Sequence, residues 1–257
     1  MACLIAGGDS FTFGSELQGC YDENNVEVAS PNSYASLIAS EAKLDYQCVA
    51  FPGHSNDAIS RTVIDTCNNT QDIELVIVCW TFPGRYEFLF NDELEQISAW
   101  NTLTSEREIK SQFKYQNDIV LQHHIDKFNR DEERGLNGFA RTFFGHVGLS
   151  KRYETYNYLS NIVNLQNYLK LNNIPYLFLS VDQSIEECKY WCSEGSNKRL
   201  LNQIDLSNWF WFPGNLGFYT WSLENKFPYG TTHPLEPAHS EAAELIYEHL
   251  RTIGRLS

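Results

Sequence analysis

Residues that could together perform acyl transfer stand near both ends of the sequence. Ser10 lies in the motif Gly8-Asp9-Ser10, and His233 lies in Thr232-His233-Pro234. A serine nucleophile needs a base that accepts its proton, and N–H groups that stabilise the oxyanion of the tetrahedral intermediate. A serine and a histidine of this kind could cleave an ester through an acyl-serine intermediate.

Apolar runs that alternate with helical patterns must position these residues. The runs typical of buried strands start at Cys3 and cover 46–51, 74–80 and 175–181, and helical spacing of apolar residues covers 33–44, 56–67, 153–171 and 235–250. Strands that alternate with helices predict a parallel sheet between helix layers, a three-layer α/β/α sandwich. Because the carboxyl ends of parallel strands meet at one edge, we expect Ser10, Gly53 and Thr81 to share one crevice.

Three motifs resemble, in order, those of the SGNH (GDSL-type) hydrolase superfamily. They are Gly8-Asp9-Ser10, Phe51-Pro52-Gly53-His54-Ser55-Asn56, and Thr232-His233-Pro234 followed by Ala238-His239. The resemblance covers the whole chain and implies a flavodoxin-like fold with a mainly parallel sheet of about five strands. It also implies that Ser10 is the nucleophile, that His233 is the base, and that the N–H groups of Ser10 and Gly53 bind the oxyanion.

Two positions depart from the pattern of the superfamily. The third motif of the family supplies an asparagine that donates to the oxyanion, whereas Thr81 follows the third strand here. Thr81 could donate through its hydroxyl, or Asn56 could reach in from the neighbouring loop. The family also places an aspartate three residues before the histidine, where this chain has Gly230. A backbone carbonyl or Glu236 could orient His233 instead, or Ser10 and His233 could act as a dyad.

Two further residues near these motifs are candidates for the site. The segment Glu236-Pro237-Ala238-His239 would make His239 the base with Glu236 as its carboxylate, although a proline follows His233 and none follows His239. Helix packing or capping is the structural alternative for His239. Arg85 follows the third strand and could bind an anionic group of the substrate or form an ion pair with an acidic side chain.

Composition limits the other classes of function. The 257 residues carry a formal charge of −14, which disfavours binding to nucleic acid. No apolar run is long enough to span a membrane and no signal peptide is visible, so we expect a cytoplasmic protein, or a virion-associated one if a phage encodes it. The seven cysteines show no regular spacing, which fits a reducing compartment. No metal or organic cofactor is implied.

The domain prediction is one domain, 1–257, with insertions at about 84–150 and 183–231. Helices are expected at 93–99 and 118–128 within the first insertion. Both insertions are rich in aromatic residues and could bind a protein partner, although packing of the tryptophans within the second insertion is favoured.

The leading hypothesis is a serine esterase or acetyl-hydrolase that cleaves carboxylic esters, with O-acetyl groups on glycans among the candidate substrates. The alternative is a weakly active or inactive protein of the same fold that serves in binding or as a structural component, for example of a phage virion. The absence of the family's asparagine and aspartate motivates this alternative.

Overall fold

The computed structural model describes residues 2–24, 26–114, 118–192 and 195–256. The chain forms two compact units, Met1–Pro83 with Thr155–Ser257, and Gly84–Glu154. The predicted insertion at 84–150 falls within the second unit. Residues 115–117 and 193–194 of the two predicted insertions lie outside the described residues.

Six strands and a series of helices make up the described residues. The strands are β1 Cys3–Gly7, β2 Asp45–Cys48, β3 Ile73–Trp80, β4 Arg85–Phe90, β5 Glu93–Ser98 and β6 Tyr176–Ser180. The α-helices are α1 Ser10–Phe13, α2 Tyr34–Ala42, α3 Asn56–Asn69, α4 Glu106–Gln112, α5 Asp118–Glu133, α6 Leu136–Phe143, α7 Lys151–Leu171, α8 Ser184–Trp191, α9 Gly195–Leu201, α10 Phe218–Glu224 and α11 Glu236–Thr252. Short 3₁₀ helices cover Ala99–Thr102 and Leu206–Asn208, and a π-helical turn covers Phe144–Gly148.

The first unit is built on a parallel sheet with the strand order β2-β1-β3-β6. The register pairs Leu4 with Tyr46 on one side of β1 and with Leu75 on the other. The chain passes from β1 to β2 on one side and returns to β3 on the other, so the strand order reverses between β1 and β3. In open α/β sheets, ligands bind outside the carboxyl ends of the strands at such a point. The loops that follow β1 and β3 begin there.

Helices cover both faces of this sheet, as the sequence predicts for a three-layer α/β/α sandwich. Alternate residues of β3 point to opposite faces: Leu75 and Ile77 join one buried cluster, whereas Val76 and Val78 join another. Residues of α2 and α11 complete the first cluster, and residues of α3 and α7 complete the second. Strands buried on both faces need apolar residues at every position, which explains their continuous apolar runs.

The parallel sheet has four strands among the described residues, fewer than the five or so that the resemblance implies. Trp209 lies where a fifth strand would extend the sheet beyond β6, but it forms only an isolated parallel bridge to Phe178. The N–H of Phe210 donates to the Phe178 carbonyl at 2.8 Å. Pro213 follows soon after, and a proline cannot donate to a sheet ladder. Trp209 is 3% exposed and therefore packs within the unit, as does Trp221.

The second unit begins with an antiparallel hairpin of β4 and β5 where the sequence predicts a helix at 93–99. That prediction is wrong. Asn91 and Asp92 connect the two strands with φ values of 50° and 64°. Two residues with positive φ form the tight turn that matches the twist of a hairpin, and asparagine and aspartate tolerate it better than most residues. The buried side chains of Tyr86 and Ile97 face each other across the hairpin and join the core of this unit.

In the described part of the chain, no helix is long and apolar enough to cross a membrane.

Candidate active site

The loop after β1 places Ser10 at the carboxyl edge of the sheet, as the first residue of α1. Asp9 caps this helix, and its Oδ1 accepts the N–H of Phe11 at 3.0 Å. A Cβ atom on Gly8 would lie 2.2 Å from Oγ1 of Thr12, so a larger residue does not fit there without displacement. The glycine and the capping carboxylate together fix the turn that presents Ser10.

Ser10 and His233 lie in contact although 223 residues separate them in the sequence. Nε2 of His233 is 2.8 Å from Oγ of Ser10. The imidazole packs edge-on against Phe11, with 5.0 Å between the ring centres, and Ser10 is 7% exposed. In the neutral tautomer that carries its proton on Nδ1, Nε2 accepts the serine hydroxyl. The pair has the geometry in which a histidine activates a serine.

The carboxylate beside His233 belongs to Glu16, which lies outside the motifs and is not among the residues predicted from the sequence. Oε1 of Glu16 lies 3.0 Å from Nδ1 of His233. The same carboxylate accepts the backbone N–H groups of Thr231 and Thr232, and it accepts the Thr232 hydroxyl at 2.8 Å. Donors from three consecutive residues therefore hold the carboxylate against the imidazole.

Glu16 combines an uncommon backbone conformation with an ionised side chain. Its φ of 69° lies in the left-handed region, which costs a residue other than glycine about 1 kcal/mol. Burial raises the pKa of the Glu16 carboxyl, but the hydrogen bonds from His233 and Thr232 outweigh burial and lower the pKa to about 2. Glu16 is therefore a carboxylate at neutral pH and can accept the Nδ1 proton of His233.

Glu236 and His239 are engaged elsewhere. Oε1 of Glu236 accepts the backbone N–H of Gln18 at 2.7 Å, so Glu236 is not the carboxylate that the structure places on His233. His239 is 1% exposed, and its Nδ1 accepts the N–H of Tyr34 at 3.2 Å. Burial is the main cause that lowers the pKa of His239 to about 3, with the charge of His233 as a smaller cause. The structure thus places His239 in the helix packing that was its structural alternative.

Asn56 and Thr81 lie at the predicted edge, but their side chains bind protein groups. Nδ2 of Asn56 donates to the carbonyls of Thr81 at 3.1 Å and Phe82 at 3.4 Å, and Oδ1 accepts the N–H of Thr81 at 3.0 Å. The Thr81 hydroxyl donates to Oδ2 of Asp9 at 2.5 Å. These bonds tie the loops after β1, β2 and β3 together. The hydrogens that either side chain would offer to an oxyanion are already donated.

Backbone N–H groups remain as donors at this edge. Gly53 lies in a tight turn with φ 83°, closed by the N–H of His54 donating to the Phe51 carbonyl at 3.1 Å. Across the described ranges, no acceptor takes the N–H of Gly53 or that of Ser10. Their use by an oxyanion stays a prediction.

The role of Thr81 can be tested by removing its hydroxyl. We expect Thr81→Val to lower the free energy of unfolding by about 1.5–3 kcal/mol, because it removes a hydrogen bond to a buried carboxylate. It should lower kcat/KM by less than the roughly 10²- to 10³-fold that loss of an oxyanion donor costs. Urea unfolding and ester hydrolysis measure the two effects, with Thr81→Ser as the control that keeps the hydroxyl. A loss above 10²-fold in Thr81→Val at unchanged stability would instead make Thr81 an oxyanion donor.

Arg85 is the first residue of β4 in the second unit, where it pairs with Ser98 across the hairpin. Binding of an anionic substrate group by Arg85 remains a prediction from the sequence. Within the described ranges, no group of three or more His, Cys, Asp or Glu side chains could hold a metal ion. All seven cysteines are free thiols.

Comparison with solved structures finds matches at low sequence identity. An acetyl xylan esterase from the rumen bacterium Butyrivibrio proteoclasticus is 13% identical with a TM-score of 0.48, and the match covers 100% of this chain and 65% of that one. A family two carbohydrate esterase from Clostridium thermocellum, in complex with cellohexaose, is 13% identical with a TM-score of 0.48 and coverages of 99% and 65%. A lipolytic protein of the G-D-S-L family from Desulfitobacterium hafniense is 12% identical with a TM-score of 0.35 and coverages of 96% and 99%.

This chain thus spans 65% of the length of the two carbohydrate esterases. No family model and no curated protein sequence matches it.

Proposed function

We propose that this protein is a serine hydrolase that cleaves carboxylic esters by acyl transfer. The observation that carries the proposal is the 2.8 Å distance between Oγ of Ser10 and Nε2 of His233, at the carboxyl edge of a parallel sheet. A serine whose hydroxyl hydrogen bonds to an imidazole is poised to become a nucleophile. This edge is also where open α/β sheets bind their ligands.

In the first half-reaction, Ser10 Oγ attacks the ester carbonyl while His233 Nε2 takes the hydroxyl proton. The carbonyl oxygen becomes an oxyanion, which the N–H groups of Ser10 and Gly53 stabilise. The bond to the leaving alcohol then breaks, and His233 returns the proton to the alcohol oxygen. The products are a free alcohol and an acyl ester on Ser10.

In the second half-reaction, water replaces the alcohol. His233 Nε2 takes a proton from the water as its oxygen attacks the acyl carbonyl. The bond between the acyl group and Ser10 Oγ breaks, and His233 returns the proton to Oγ. The net reaction converts an ester and water into a carboxylic acid and an alcohol, and O-acetyl groups on glycans belong to this class of substrate.

Covalent labelling tests the proposal directly. We expect a fluorophosphonate probe to modify the folded protein once per chain, and peptide mapping by mass spectrometry to locate the adduct on Ser10. With p-nitrophenyl acetate, we expect a burst of p-nitrophenol close to one equivalent, the kinetic sign that an acyl-enzyme accumulates when deacylation is slower than acylation. Heat-denatured protein is the control and should not be labelled.

Absence of labelling in folded protein, together with no ester hydrolysis above the rate of the buffer, would overturn the proposal. It would favour the alternative in which the fold serves in binding or as a structural component.

A further inference from the structure

Gly230 leaves space that the carboxylate of Glu16 fills. A Cβ atom on Gly230 would lie 2.0 Å from Oε2 of Glu16 and 3.3 Å from its Cβ. The φ of Gly230 is outside the left-handed region, so the backbone at this position does not itself require glycine. Any side chain at position 230 would therefore require the Glu16 carboxylate to move.

The segment that carries Gly230 also carries His233. The N–H of Gly230 donates to the carbonyl of His233 at 2.9 Å, which closes the turn between them. A side chain at position 230 would therefore start beside the carboxylate that contacts the imidazole. An aspartate placed there would carry its oxygens two bonds beyond a Cβ that lies 2.0 Å from the position of Oε2 of Glu16.

We propose that Glu16 is the residue that positions His233, and that the absence of a side chain at Gly230 leaves room for the Glu16 carboxylate. This inference rests on the proposed function. The carboxylate comes from the loop that also carries the nucleophile, and Gly230, on the histidine's own loop, leaves the space for it. Glu16 touches neither Ser10 nor the reacting atoms, and it acts through His233.

The contacts define what the carboxylate does during the reaction. Oε1 of Glu16 accepts the Nδ1 proton of His233 at 3.0 Å, which selects the tautomer that leaves Nε2 free to accept the proton of Ser10. When Nε2 takes that proton, the imidazole becomes a cation, and the adjacent carboxylate stabilises it without taking a proton itself. The cation develops only as the reaction proceeds, so its stabilisation is realised in the transition state and loss of Glu16 should lower kcat more than it raises KM.

The loop itself couples Glu16 to Ser10. The N–H groups of Gly14 and Ser15 both donate to the carbonyl of Ser10 at 3.0 Å, and Gly14 ends α1 with φ 81°. Only residues 11–15 therefore separate the nucleophile from the positioning carboxylate, and these two hydrogen bonds keep that segment compact. His233 contacts Ser10 through Nε2 and Glu16 through Nδ1, and both partners belong to the segment 10–16.

The first part of the test removes the charge. We expect Glu16→Gln to lower kcat/KM for p-nitrophenyl acetate by about 10²- to 10⁴-fold, because an amide in place of the orienting carboxylate lowers kcat by up to about 10⁴-fold in serine proteases. KM should change by less than threefold. A downfield proton resonance from the imidazole Nδ1–H should be present in the wild type and absent in Glu16→Gln. Glu41→Gln, on the exposed end of α2, is the matched control and should leave activity unchanged.

The second part moves the carboxylate to the other loop. We expect Gly230→Ala to lower activity in the wild type, because the new Cβ displaces Glu16, and to have no further effect in Glu16→Ala. The double variant Glu16→Ala/Gly230→Asp should regain at least tenfold in kcat/KM over Glu16→Ala, because the space for the new carboxylate is then open. This recovery also shows that the loss in Glu16→Ala is not simply a failure to fold.

The outcomes separate this inference from the proposed function. If wild-type protein hydrolyses esters and labels on Ser10 but Glu16→Gln retains more than a third of its activity, only the role of Glu16 is wrong. The same conclusion follows if Glu236→Gln, and not Glu16→Gln, removes the activity. If the wild type neither labels nor hydrolyses esters, the proposed function is wrong.

Discussion

Replacement of Ser10 by alanine is expected to lower kcat/KM for ester substrates by at least about 10³-fold, as removal of the nucleophile does in serine hydrolases. The reason is geometric. The Ser10 hydroxyl is the group that His233 contacts, at 2.8 Å, and alanine leaves no oxygen there to attack a carbonyl. The measurement is hydrolysis of p-nitrophenyl acetate, followed by labelling with the fluorophosphonate probe, which should no longer attach.

Ser184→Ala is a matched control for this variant. Like Ser10, Ser184 is buried and is the first residue of a helix that follows a parallel strand, and its hydroxyl hydrogen bonds to the side chain of Asp182. It has no contact with a histidine ring in the described structure. We expect Ser184→Ala to keep wild-type activity, and Ser10→Ala to melt within a few degrees of the wild type. Equal activity in Ser10→Ala and the wild type would contradict the proposed mechanism.

The parts of the site that the sequence predicts are those fixed by strand order. Ser10 follows β1 and Thr81 follows β3, and a parallel sheet must bring both loops to one edge. The apolar runs of these strands and the helical spacing of α7 and α11 were sufficient to predict that sheet. Local patterns carry this information because β1, β6 and most of β3 are buried on both faces.

Glu16 could not be predicted in this way. It is 217 residues from His233 in the sequence, and its carboxylate reaches the imidazole through a backbone conformation with φ 69° that no sequence pattern indicates. The relevant signal was present at a different position. The superfamily that the motifs resemble has an aspartate at the position of Gly230. Any carboxylate that contacts His233 here must therefore come from another part of the chain.

Asn56 and Thr81 show a second limit of sequence reasoning. Residue type and topology bring both to the correct edge, but they do not reveal which partner each hydrogen serves. The structure pairs Thr81 with Asp9 and pairs the Asn56 amide with the backbone of Thr81. Buried polar groups form hydrogen bonds, and which partner each one has depends on how the loops pack in three dimensions. In this protein, these hydrogen bonds join the loops that follow β1, β2 and β3 to one another.

The position of Glu16 weakens one of the two reasons for expecting an inactive protein. That alternative was motivated partly by the lack of an aspartate three residues before His233. A carboxylate lies 3.0 Å from Nδ1 of His233 nevertheless, and it belongs to Glu16. The second reason remains, since the chain lacks the asparagine that donates to the oxyanion in the superfamily that its motifs resemble. Loss of an oxyanion donor that nothing replaces costs about 2.7–4 kcal/mol in transition-state stabilisation. A slow hydrolase with a complete serine, histidine and carboxylate set is the expectation that fits both observations.

Replacement of His233 by alanine is the second change expected to remove activity, by at least about 10³-fold in kcat/KM. Without the imidazole, no group is positioned to take the Ser10 proton, and labelling by the fluorophosphonate probe should slow to a similar extent. His146→Ala is the control, since His146 is exposed in the second unit. His239→Gln addresses the other histidine of the last motif. Because His239 is buried and accepts the N–H of Tyr34, its replacement should lower the melting temperature.

A double variant that lacks both Ser10 and His233 distinguishes a cooperating pair from two residues that contribute independently to the rate. If Ser10 and His233 act as one unit, the variant Ser10→Ala/His233→Ala should be no slower than either single variant, because residues that act together are strongly non-additive. Independent contributions would multiply, and the double variant would then fall below both single variants. A His239→Gln variant that loses as much activity as His233→Ala at an unchanged melting temperature would transfer the role of base to His239. The 3.2 Å hydrogen bond from Tyr34 to Nδ1 of His239 argues against that outcome, since it already uses the lone pair of this nitrogen.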